Sequence, residues 1–145
     1  MVRAKNRGFT LVELVVILAL LAVGASAVAP TARRLADRSA VVAAREEIVR
    51  ALARGRAEAV ASGGSVVTVH AQPPRIRVLT SGWTMREVPL QYPGLRVRLT
   101  GGRDSITFRY DRLGVGRFAS GSVRLDRGEA RAGLVVSSYG RIRRR

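Results

Sequence analysis

The sequence predicts an α+β chain: one long N-terminal helix, membrane-spanning and then amphipathic, packed on a small antiparallel β-sheet. Three observations predict it. Residues 9–29 form an apolar run interrupted by a single charge, Glu13. Residues 31–62 repeat apolar side chains at helical spacing. From Ser65 onward the apolar period falls to two, and glycine or proline breaks separate short runs.

The elements follow in order. Residues 1–8 carry Arg3, Lys5 and Arg7 and form a basic leader. Residues 9–30 supply the apolar helix. A run of about 20 apolar residues spans a hydrocarbon core of about 30 Å. A basic segment before an apolar run is also the pattern of a secretory signal. The length of this run and the carboxylate near its start argue against that reading. In residues 31–62 the apolar stripe is Leu35, Val41, Val42, Ile48, Val49, Leu52 and Val60, with arginines filling much of the rest. Pro30 stands at the junction, and Ser62-Gly63-Gly64 ends the helix. Residues 63–145 supply the sheet. Val67, Val69 and Ala71 alternate with Thr68 and His70; Leu95, Val97 and Leu99 with Arg96 and Arg98; Ile106, Phe108 and Tyr110 with Thr107 and Arg109. Val123 and Leu125 flank Arg124, and Leu134-Val135-Val136 makes a last apolar run. Alternation of this kind marks strands with one buried face.

Composition narrows the function classes. The chain of 145 residues has 26 Lys+Arg against 10 Asp+Glu, a formal net charge of +16. Sixteen arginines and five acids fall in residues 63–145, so the excess lies mainly there. A basic excess points to acidic partners: nucleic acid, anionic lipid or an acidic protein face. Lys5 is the one lysine, and the arginine bias also reads as plain genomic base composition. With no cysteine and one histidine, neither a disulfide framework nor a cluster of thiolate or imidazole metal ligands is expected. His70 lies in a strand with no matching ligands. Glu46-Glu47 are adjacent on a helix and do not face one another. No nucleophile, base and oxyanion site assembles, so a non-enzyme without cofactor or metal is expected.

Residues 8–16, Gly-Phe-Thr-Leu-Val-Glu-Leu-Val-Val, follow the basic leader and closely resemble the prepilin signal of type IV pilins and type II secretion pseudopilins. The resemblance implies the type IV pilin fold and cleavage by a prepilin peptidase between Gly8 and Phe9, with methylation of the new N-terminus. It also implies that Glu13 meets the N-terminal amine of a neighbouring subunit during assembly. A carboxylate inside an apolar helix is expensive in lipid unless paired, which fits that role; a carboxylate snorkelling at the membrane edge is the plainer account. The resemblance implies a bacterial inner-membrane protein, single-pass, with its C-terminal domain periplasmic and other pilins or pseudopilins as partners. The flanking charges alone are inconclusive, because Arg33, Arg34 and Arg38 lie just past the far end of the run.

The remainder looks like the GspH/FimT group of minor pilins, with Gly82-Trp83, Ile106-Thr107-Phe108 and the closing segment through Tyr139-Gly140-Arg141-Ile142-Arg143 carrying the likeness. DNA-binding FimT members carry a C-terminal Gly-Arg-x-Arg motif, which Gly140-Arg141-Ile142-Arg143 matches. The resemblance therefore implies a FimT-like minor pilin that binds DNA without sequence preference for natural transformation. The alternative is a GspH-like pseudopilin with an assembly role in type II secretion.

In an extended tail, Arg141 and Arg143 project to one face and Ile142 to the other. Arg145 extends that row and Arg144 sits opposite. Gly140 permits a turn just before them. Tyr139 either stacks on a base or caps the core edge. About four arginines on duplex phosphates give a salt slope of about −3.6. Arg75 and Arg77, Arg96 and Arg98, and Arg103 and Arg109 are supporting positions; for the first two pairs a solvated sheet face is the favoured reading. Anionic lipid is a rival ligand for a basic domain tethered at a membrane.

Overall fold

The computed structural model describes residues 10–80 and 85–145. Gly8, Phe9 and Trp83, and with them the expected cleavage point, lie outside the described residues. The chain divides into two units, Met1–Leu35 and Ala36–Arg145.

One α-helix, α1 (Leu11–Ser62), contains Pro30 and is preceded by Thr10. The Thr10 hydroxyl accepts the Glu13 N–H at 3.2 Å. That satisfies one of the amides that open every helix, and Thr10 with Glu13 has the spacing of a capping box. In the first unit Leu11, Val12, Leu14, Leu18, Leu20, Leu21 and Val23 are all exposed. This stretch is long and apolar enough to cross a membrane, and its most apolar part is not buried.

The second unit carries its own core. The buried face of α1 there is Ala40, Val41, Ala44, Ile48, Ala51, Leu52 and Ala59. Val41, Ile48 and Leu52 are as expected, but Leu35, Val42 and Val60 are exposed. Four of the seven buried residues of that face are alanines, and the helix approaches sheet A closely. Gly55 shows the limit: a Cβ placed there falls on Val67 Cγ2. Gly63, with φ 88°, and Gly64 lead out of the helix.

Eight strands follow: β1 (Gly64–His70), β2 (Arg75–Thr80), β3 (Met85–Pro89), β4 (Arg96–Leu99), β5 (Ser105–Asp111), β6 (Gly121–Arg127), β7 (Ala130–Val136) and β8 (Ile142–Arg144). The expectation of one small sheet needs correction. They form two four-stranded antiparallel sheets, ordered β3-β2-β1-β5 and β4-β6-β7-β8. We call them sheet A and sheet B. The segment between β4 and β5 sends the chain from sheet B back to sheet A, so β1 pairs with β5 and β4 with β6. β2 and β3 lie outside the alternating runs named above, although β2 buries Ile76 and Val78 in strict alternation.

The inner faces of both sheets meet α1 in one cluster. Val67, Val69, Ile76 and Phe108 come from sheet A, Val97, Val123, Leu125, Leu134 and Val136 from sheet B, and Val41, Ile48 and Leu52 from the helix. Phe118 packs edge-on against Phe108 and Tyr110, with ring centroids 5.0 and 5.8 Å away. Every buried member of this core falls within residues 36–145, so that segment has what it needs to fold alone.

Candidate functional site

Sheet pairing decides which arginines share a face, because directly opposed residues of antiparallel strands point the same way. In sheet B, Arg96 pairs with Asp126, and Asp126 with Arg131. One step along, Arg98 pairs with Arg124, and Arg124 with Gly133. The amide of Arg145 donates to the Gly133 carbonyl at 2.8 Å, and the Gly133 amide donates back to Arg145 O at 2.9 Å. Arg143 pairs with Val135. The outer face of sheet B therefore presents Arg96, Arg98, Arg124, Arg131, Arg143 and Arg145, with Asp126 as the carboxylate among them. The row Arg98–Arg124–Gly133–Arg145 crosses three strand spacings, about 14 Å.

The tail reaches this face through a turn. Gly140 adopts φ 83°, and its amide donates to the Ser137 carbonyl at 2.9 Å. The Ser137 amide donates to Arg141 O at 2.9 Å, and Ser137 Oγ accepts the Arg141 amide at 3.1 Å. An L side chain resists that φ, and a Cβ would come within 3.2 Å of Tyr110 Cε1. The glycine of Gly-Arg-x-Arg is thus the residue that folds β8 back along β7. Tyr139 is exposed, so it does not cap the core.

Within the tail the arginines separate. Ile142 is half-buried against the core. Arg143 and Arg145 point outward, as the period of two requires. Arg144 points inward, where its Nε lies 3.0 Å from Glu46 Oε1 and its Nη2 3.1 Å from Oε2. Arg45 also reaches Glu46, with Nη2 3.0 Å from Oε1, and its Nη1 lies 3.4 Å from Arg145 O. The Arg144 guanidinium beside Glu46 holds that carboxyl below its usual range, and Glu46 in turn raises Arg144. Arg144 therefore clamps β8 to α1, while Arg143 and Arg145 face solvent.

The supporting positions divide as well. Arg96 and Arg98 share the face of Arg143 and Arg145. Arg103 borders a groove of about 540 Å³ together with Arg98 and Arg124. Arg75, Arg77 and Arg109 lie on the outer face of sheet A. Arg77 Nε lies 2.9 Å from Glu87 Oε2 and Arg75 Nη1 lies 3.3 Å from Oε1, so one carboxylate serves both. The Arg77 hydrogen bond, more than any other contact, holds Glu87 below the usual carboxylate range. His70 lies beside this pair; desolvation first, then Arg75 and Arg77, pushes its pKa down. Arg124 and Arg131 are the functional candidates that the sequence reading missed. The alternation of Val123, Arg124 and Leu125 already placed Arg124 on an outer face; the sheet was not legible. Among the described residues no cluster of three metal-ligating side chains occurs.

An apolar helix and a domain of helix and antiparallel sheets make up the architecture of the type IV pilin fold. The family described as the prokaryotic N-terminal methylation motif matches residues 3–29. Among solved structures the chain resembles the minor pseudopilin EpsH from the type 2 secretion system of Vibrio cholerae. The likeness has a TM-score of 0.56 at 13% sequence identity, and covers 72% of this chain and 95% of that one. No curated protein matches the chain. The motif covers the N-terminal segment and the structural likeness supplies the fold.

Proposed function

We propose that this chain is a membrane-anchored minor pilin, cut after Gly8, that joins a pilin-like filament through its apolar helix. Its domain, on the periplasmic side, holds DNA without sequence preference for uptake in natural transformation. No catalysis is involved. One observation carries the DNA reading: the outer face of sheet B gathers six arginines around a single carboxylate. Arg143 and Arg145 are the tail contacts, Arg141 adds charge at the turn, and Gly140 and Arg144 hold the strand that presents them. Such a face suits phosphates, whose contact is independent of sequence and weakened by salt.

The likeness to EpsH supports a second reading, a GspH-like pseudopilin with an assembly role in secretion. Titration of the full chain in nonionic detergent with labelled duplex DNA separates the two. The DNA reading expects a slope of log K against log salt of about −3.6 or steeper, flattened by Arg141→Gln with Arg143→Gln. Absence of binding at physiological salt leaves the assembly role alone.

A further inference from the structure

Within the outer face of sheet B, one place lacks a side chain. Gly133 lies between Arg124 on β6 and Arg145 beyond β8, and a trough of about 220 Å³ opens above it. Arg124, Arg131 and Arg145 line that trough, with Ser122 and Val135 at its sides. Gly133 is extended within β7 and has no positive φ, so its backbone conformation does not call for glycine. A Cβ there would meet Val123 O at 3.1 Å and Arg145 Cβ at 4.0 Å. The glycine lets β7 lie close against the Val123 carbonyl of β6, and it leaves the floor of the trough between the arginines bare.

Two of the three charges around that space, Arg124 and Arg145, are unspent, and the third, Arg131, is shared with Asp126. Asp126, the carboxylate on this face, accepts Arg98 Nη2 at 2.6 Å and Nε at 2.9 Å, and Arg131 stands 3.8 Å away. Neither Arg124 nor the Arg145 side chain has a carboxylate within ion-pair distance among the described residues. Their strands lie two spacings apart, about 10 Å, so two long side chains converge on a group seated over Gly133. Guanidinium forks match the oxygens of a tetrahedral anion.

We infer that the Gly133 trough seats one backbone phosphate of the nucleic acid, gripped by Arg124, Arg131 and Arg145. The inference rests on the DNA reading above and gives it a register point: the duplex is anchored at the centre of sheet B, and the tail flanks it. Gly133→Ala puts a methyl group on the floor of the trough, 3.1 Å from Val123 O, and leaves every charge in place. Titrating the full chain in nonionic detergent with a short random-sequence duplex is expected to show weaker binding for this variant. Losing one phosphate contact lowers the salt slope by about 0.9 and the affinity about eightfold near 0.1 M salt. Arg124→Gln with Arg145→Gln, which leaves the glycine untouched, is expected to lower both at least as far. Wild-type binding with an unchanged slope in both variants overturns the trough and spares the DNA reading. No wild-type binding overturns both. A loss confined to phosphatidylglycerol vesicles, with duplex binding intact, assigns the trough to a lipid headgroup and overturns the inference.

Discussion

Gly55→Ala sets two opposed effects against each other in one residue. In a helix interior the change ordinarily stabilises by about 0.8–1 kcal/mol. Here the new methyl falls on Val67 Cγ2, with Ser65 Oγ 3.6 Å away. Val67 is fully buried and its strand is paired on both sides, to Val78 and to Phe108. A β-branched side chain on a pinned backbone has little freedom to turn aside. Ser65 Oγ also donates to Gly55 O at 2.6 Å, which ties helix to strand at that spot. Overpacking of this kind costs about 1–3 kcal/mol, and a direct overlap belongs in the upper part of that range. The net expectation is a loss of about 1–2 kcal/mol, a drop in thermal midpoint of about 4–8 °C for a domain of this size.

The assay is thermal unfolding of residues 36–145 in two backgrounds. Val67→Ala alone costs about 2 kcal/mol through lost burial and the space left behind. In that background the obstruction is gone and the helix gain remains, so adding Gly55→Ala is expected to raise the midpoint. The sign reversal corresponds to a coupling energy of about 2–3 kcal/mol between the two sites. If Gly55→Ala raises the midpoint in the presence of Val67, or acts equally in both backgrounds, the close approach of α1 to β1 is refuted.

Two further outcomes follow from the ion pairs. Glu46→Gln raises the positive charge, so bulk electrostatics expects tighter DNA binding; release of the Arg144 clamp expects weaker binding and faster hydrogen exchange at the Arg144 and Arg145 amides, the outcome we predict. The carboxyls of Glu46, held down chiefly by Arg144, of Glu87, held down chiefly by Arg77, and of Asp111, held down chiefly by the Val115 amide, all sit below their ordinary values of 4.5, 4.5 and 3.8. A depressed carboxyl contributes stability that is complete above its unfolded value and lost as pH falls through its folded one. His70, held down by desolvation and then by Arg75 and Arg77, also costs the fold stability once pH drops below its ordinary value of 6.5, so the midpoint of residues 36–145 declines gently below about 6.5 and more steeply below about 4. A midpoint that rises on acidification, or Glu87→Gln leaving the fall as steep, would sink this account.

The helix and the strands were legible because each depends on local periodicity. Residues 9–29 needed only hydropathy, and the alternation around Val67, Val97, Phe108 and Leu125 gave the inner faces correctly. The alanine face of α1 was less legible, since Ala40, Ala44, Ala51 and Ala59 carry little hydropathy and matter only once the sheets are close. Two sheets in place of one could not be read at all. The pairings β1 with β5 and β4 with β6 join segments far apart in sequence, and nothing local marks them. The same gap hid the site. Arg143 was found from its motif, whereas Arg124 and Arg131 join it only through the order β4-β6-β7-β8. Arg144 was correctly placed on the opposite side from Arg143, yet its partner lies on the helix, 98 residues earlier in the chain.

Arginine abundance alone does not account for the basic face. A compositional bias spreads arginines over every exposed strand position, and both sheets have them on their outer faces. What differs is the acids. On sheet A, Glu87 engages both Arg75 and Arg77, and with Arg109 that face has three arginines to one acid, half the ratio on sheet B. On sheet B, Asp126 lies toward one end, paired with Arg96 and held by Arg98. Glu46, the acid nearest the tail, is turned to the inner side, where it takes Arg144 and Arg45. Asp111 is spent on its own loop, accepting the Leu113 and Val115 amides at 2.9 Å each. Acids are placed so that the half of sheet B nearest the tail keeps its charge. A surface made only for solubility gains nothing from that separation, because mixed signs serve it equally well. A surface made for polyanions does gain from it, since each guanidinium already paired to a carboxylate is one fewer for a phosphate.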